Sequence, residues 1–143
     1  MKNSIKILIG LSILLLMLST VTAADFDVDT LKTPIGYDNM KGGTAMLNDG
    51  NTQLYVGKMS LNEDAFKSDS NNNYLVTDAG NNIYSVSDDS LHIYGFQEKV
   101  NINGVDYLVS ISKDKPLSNA DKTLLKEDLE KFNKENNLEP ITA

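Results

Sequence analysis

Beyond residue 24 the apolar positions of this chain recur mostly at every second residue, the spacing of strands, and the spacing turns helical in two places. Asp25 to Thr30 alternates strictly and reads as a short strand or an exposed lead-in. In that conformation the carboxylates of Asp25, Asp27 and Asp29 would point the same way and repel. Thr33 to Tyr37 carries Pro and Gly and reads as a turn. Thr44–Leu47 and Gln53–Met59 then form a hairpin across Asn48-Asp49-Gly50-Asn51. Ser60-Leu61-Asn62-Glu63 has the form of a capping box and predicts a short helix to Lys67, with Leu61 and Ala65 on one face. Ser68 to Asn73 is a polar loop, and Tyr74–Thr77 and Ile83–Val86 make a second hairpin across Asp78 to Asn82.

The best-defined element runs from Leu91 to Ser112. Asn103-Gly104 suits a two-residue type I′ turn, because both positions need positive φ. The turn sets Ile102 opposite Val105 and Val100 opposite Tyr107. Continued at a period of two, one face carries Phe96, Val100, Ile102, Val105, Tyr107, Val109 and Ile111, and is the core side. Glu98 falls on that face opposite Val109, so it sits at the sheet rim or has a task of its own. After Pro116, Ser118 and Asp121 open a helix whose stripe is Leu125, Leu129 and Phe132, with Leu124 alongside; Asn136-Asn137 stops it. Leu138 to Ile141 is an extended tail placed to dock back. The expected fold is therefore α+β: an antiparallel sheet of five to seven strands built from hairpins, with the C-terminal helix packed on one face.

The residues before this domain have a different character. Lys2 and Lys6 precede a nearly unbroken apolar run from Ile7 to Leu18, and small residues follow at Val21-Thr22-Ala23-Ala24. That is the layout of a cleavable export signal. Its apolar core is about a dozen residues, short of the roughly 20 that a spanning helix wants. The expected organisation is a signal peptide over 1–24 and a single domain over 25–143, extracellular or in the cell envelope. If the segment stays uncut, residues 5–24 anchor the domain to the outer face of the membrane.

Charge and composition narrow the partners. All 13 basic residues are lysine, and loss of Lys2 and Lys6 with the signal takes the net charge from −7 to −9. Without a basic face or a single guanidinium, nucleic acid is not an expected partner, and anionic lipid headgroups are disfavoured. The chain has no cysteine, which removes disulfides, thiol catalysis, thiolate metal sites and a lipid anchor at the cleavage site. No Asn-x-Ser/Thr acceptor occurs.

Candidate chemistry is thin. His92 is the only histidine, too few for an imidazole metal site, and no Gly-x-Ser-x-Gly elbow accompanies it. It reads as a partly buried strand residue beside Tyr94. Paired carboxylates could serve an envelope hydrolase, but Trp is absent and several Tyr fall on core faces. Asp69-x-Asn71-x-Asn73 has the opening ligand spacing of a calcium loop. Tyr74, however, replaces the turn Gly, and Gly80 stands where the bidentate Glu belongs. A weak Ca²⁺ site at Asp69, Asn71 and Asn73 is the one metal expectation, and no other cofactor is expected. Tyr37, Tyr55 and Tyr84, with Met40, are the exposed residues that could form a binding surface.

The stretch from Gly95-Phe96-Gln97-Glu98-Lys99-Val100-Asn101-Ile102-Asn103-Gly104-Val105-Asp106-Tyr107-Leu108-Val109 through Leu129-Glu130-Lys131-Phe132 to Pro140 resembles small exported proteins of methanogenic archaea, over roughly Gly95 to Ile141. The resemblance rests on a hairpin and a helix ending, so it implies a lineage and an external compartment and carries over no active-site residues. The Asn- and Lys-rich, Arg-free composition fits an AT-rich genome. The functional expectation is a non-catalytic module that binds a protein, a glycan or a small ligand at the cell surface, through the sheet face the helix leaves uncovered. A carboxylate hydrolase and a calcium-stabilised structural module are the alternatives.

Overall fold

The computed structural model describes residues 26–142; the expected signal or anchor over 1–24 lies outside them. The strands are β1 (Thr44–Met46), β2 (Thr52–Lys58), β3 (Tyr74–Asp78), β4 (Tyr84–Asp88), β5 (Ile93–Ile102), β6 (Val105–Lys113) and β7 (Glu139–Pro140). They form one antiparallel sheet in the order β1-β2-β6-β5-β4-β3, with β7 paired to the end of β5. A 17-residue helix, α1 (Asn119–Glu135), packs on one face. This is the α+β architecture that the alternation predicts.

The β5–β6 hairpin sets the frame. Asn103 and Gly104 take φ of 53° and 86°, and the register pairs Ile102 with Val105 and Val100 with Tyr107. Carried into β2, that register aligns Leu54, Ile111 and Phe96 in one row, and Val56, Val109 and Glu98 in the next. Leu125, Leu129 and Phe132 of α1 settle on these rows and are wholly buried. Each such side chain contributes about 1.5–3 kcal/mol by leaving water.

The helix ends are closed by side chains. Ser118 Oγ accepts from the Asp121 N–H and Asp121 Oδ2 accepts from the Ser118 N–H, both at 3.1 Å. At the other end Asn136 Nδ2 donates to the Phe132 and Lys32 carbonyls, and its Oδ1 accepts from the Lys32 N–H. Asn137, at φ 53°, turns the chain back, and the Ile141 N–H reaches the Lys99 carbonyl at 2.9 Å.

Several expectations are corrected. Val28–Thr30 is a 3₁₀ turn capped by Asp27 rather than a strand. Asp29 is thereby turned aside to accept from the Gly42 and Gly43 N–H groups at 2.8 and 2.9 Å, and these donors hold its carboxyl below the usual range. The helix expected over Ser60–Lys67 is absent: a 3₁₀ turn, Met59–Leu61, stops at Asn62, and Leu61 is exposed. Val105, at the tip of the hairpin, is exposed despite lying on the core face, whereas Met40 is buried. His92 is exposed in the turn before β5, at φ 54°, and is not a half-buried strand residue.

Candidate functional site

The second face of the sheet, away from α1, carries the residues that alternate with the core positions. Gly95, Gln97 and Lys99 of β5 stand there beside Leu108, Ser110 and Ser112 of β6 and Tyr55 and Gly57 of β2. The chain from Met59 to Asn73 arches over this face instead of forming a helix. Local bonds explain the choice. Asn62 Nδ2 donates to the Lys58 carbonyl at 2.7 Å and to the Tyr55 hydroxyl at 3.1 Å, which competes with helical pairing.

Two donors from the sheet then hold the arch. Gln97 Nε2 and the Tyr74 hydroxyl both donate to the Ala65 carbonyl, each at 2.5 Å. Gln97 is buried beneath it, and burial raises the Tyr74 phenol above its ordinary value. Next along the arch, Phe66 meets the Tyr84 ring edge-on, with centroids 5.5 Å apart, and Lys99 Nζ lies 5.4 Å from the Phe66 centroid.

Between arch and sheet lies a cleft of about 400 Å³, within the range of small-molecule sites. Its floor is Gly95, Gln97, Ser110 and Ser112, and its walls are Tyr55, Tyr74 and the arch residues Asn62 to Ala65. Among the described residues no protein group hydrogen-bonds the Ser110 or Ser112 side chains, which line the cleft. Glu63 and Asp64 supply carboxylates at the edge, and no Lys or His lines the cleft. The Tyr55 phenol fills the space that a Cβ on Gly57 would need. Only glycine at 57 lets that ring lie along the strand and wall the cleft.

Of the three tyrosines singled out in the sequence, Tyr55 lines the cleft and Tyr84 lines a second, smaller groove together with Phe66, Asn82 and Lys99. Tyr37 is not brought to either. It packs against the core on the helix side and donates to Asp128 Oδ2 of α1 at 3.0 Å; burial and that carboxylate push its phenol far up. Asp69 caps the 3₁₀ turn Ser70–Asn72, accepting from the Asn71 N–H at 3.1 Å and from Asn72 Nδ2 at 2.6 Å, while Asn73 closes the turn in the left-handed region. Asp69, Asn71 and Asn73 thus build a turn at the foot of the arch.

The sequence reading missed Gln97, Ser110 and Ser112, although the same period of two that marked the core face puts them together on the opposite one. Glu98 is buried on the core face, where Asn133 Nδ2 donates to its Oε1. Comparison with family models, with curated proteins and with solved structures finds no match to this chain.

Proposed function

We propose that this protein is an exported, non-catalytic binding module of the cell envelope, and that the cleft under the arch takes a hydroxyl-rich ligand without negative charge, such as a short neutral or amine-bearing glycan. The observation that carries this reading is the pair of unbonded hydroxyls, Ser110 and Ser112, set between the Tyr55 and Tyr74 side chains in a cleft lined by two carboxylates and no cation. Hydroxyls and carboxylates exchange hydrogen bonds with sugar hydroxyls, and aromatic rings cover the apolar faces of sugars. An anion would meet Glu63 and Asp64, and Lys67, which pairs with Asp64 at 3.6 Å, is solvent-exposed and not part of the lining. Export is supported by the basic, apolar and small-residue order of the first 24 positions.

The test is calorimetric titration with three sets of short oligosaccharides: neutral, amine-bearing and uronate-bearing. The first two bind, the uronates do not, and the double substitution Ser110→Ala with Ser112→Ala weakens binding by at least about tenfold while the fold is kept. Equal binding of uronates, or a double variant that binds as the wild type does, removes the reading.

A further inference from the structure

One buried acceptor among the described residues is unexplained by the side chains as they stand. Asn133 Nδ2 donates to Glu98 Oε1, but Asn133 Oδ1, sealed between α1 and the sheet, has no partner. An orphaned buried carbonyl is costly, and a protein of this size carries few. The group beside it is a carboxyl on the core face of β5, 3 % exposed.

We propose that Glu98 is carried in the folded protein as the neutral acid, its Oε2–H donating to Asn133 Oδ1 while Oε1 accepts from Asn133 Nδ2, and that this acid–amide ring is a proton-sensitive latch between helix and sheet. The proton comes from solvent, through a pocket of about 240 Å³ lined by Glu98, Glu130, Asn133 and Lys134. Asn133 Oδ1 itself has no surface open to that pocket, so a donor must come from the side chain beside it, and a proton on Glu98 supplies one.

The charged surroundings favour the neutral form. From α1, Glu130 and Lys134 line the pocket, and Lys126 is turned away to the Ala79 carbonyl at 3.3 Å. The β3–β4 turn presents uncharged Asn81 and Ile83, β6 presents Val109, and the C-terminal tail presents Leu138 and Pro140. Burial first, and the Glu130 carboxylate second, push the Glu98 acid up from 4.5 to about 7, against the opposing pull of the Asn133 amide. Because the folded value is raised, the stability that the ring supplies is complete below the ordinary carboxyl value and is lost as pH rises through about 7. Ionised Glu98 keeps one bond to Asn133 and leaves Oδ1 orphaned, so helix and sheet separate more readily.

The experiment is thermal melting of the full-length chain and of Glu98→Gln from pH 5 to pH 8.5. Glutamine offers the same donor and acceptor at every pH. The wild-type Tm is expected to fall by several degrees across this range, while E98Q stays flat and melts with the wild type at pH 5. The carboxyl ¹³C shift of Glu98 in the unmodified protein decides independently, even if E98Q folds poorly: a midpoint near 7 supports the latch. A midpoint near 4.5, or an E98Q variant that keeps the wild-type pH slope, overturns it.

Discussion

Gln97 donates its side-chain amide to the carbonyl of Ala65, 32 residues earlier, and with the Tyr74 hydroxyl on the same carbonyl it holds the arch that roofs the cleft. The next residue of the same strand, Glu98, receives Asn133 on the opposite face. Consecutive positions of β5 therefore tie down the arch on one side and the helix on the other. Were either bond lost, the elements would still be connected by sequence, but the spaces between them would change.

Replacing Gln97 with Ala leaves the Ala65 carbonyl with Tyr74 alone. We expect a loss of about 1 kcal/mol in global stability, together with a much larger rise in amide exchange over residues 59–73 than elsewhere. Exchange that rises uniformly over the sheet would show that Gln97 supports the core and not the arch.

The two strand glycines on the open face separate backbone from side-chain crowding. A Cβ on Gly95 would collide with the Ile111 carbonyl and the Ser112 Cα, both backbone, whereas one on Gly57 would meet only the mobile end of Tyr55. Gly95→Ala is expected to cost about 3 kcal/mol, the upper end of the usual overpacking range. Gly57→Ala should stay within about 1 kcal/mol of wild type while displacing the Tyr55 ring and lowering ligand affinity. Urea unfolding of the two variants, with binding measured on the second, checks the contrast.

Tyr37→Phe tests a tyrosine that the fold sets apart from the cleft. Its loss leaves Asp128, whose acid is already raised by burial, without the hydroxyl that favours the charged form. The variant should lose about 1–2 kcal/mol, raise the Asp128 titration midpoint further, and bind ligand as the wild type does.

How far the sequence could foresee this molecule depended on what held each segment. The β5–β6 hairpin was legible because Asn103-Gly104 fixes its register locally, and α1 because Ser118, Asp121 and a Leu/Phe stripe agree with one another. The arch was not legible. Ser60 to Glu63 has a helix-start pattern, but a helix of two turns is marginal alone, and the Ala65 carbonyl is captured by Tyr74, nine residues on, and by Gln97, 32 residues on. Asp25 to Thr30 failed for a similar reason, since Asp29 finds the Gly42 and Gly43 amides only in the folded chain. Of the site, Tyr55 and Tyr84 were visible as residue types. Ser110 and Ser112 were visible as positions on a face, but the roof that makes that face a cleft was not.

At low pH a different group governs. The Ser90 hydroxyl, with the Leu91 and Ser90 N–H groups, holds the Asp88 carboxyl below its ordinary value of 3.8. Its folded value being lowered, the stability it gives is present above that ordinary value and lost as pH falls through the folded one. Asp88→Asn should therefore melt below the wild type at pH 7, with the gap closing in strong acid. A gap that is constant with pH would mean that the charge of Asp88 contributes nothing.

The cleft itself is tested most directly by amide and side-chain chemical-shift mapping during titration with a short neutral oligosaccharide. Saturable shifts are expected at Tyr55, residues 62–65, Tyr74, Gln97, Ser110 and Ser112, and none at Tyr37. Saturable shifts centred elsewhere on the domain, or no shifts with neutral and amine-bearing sugars alike, would contradict the proposed site.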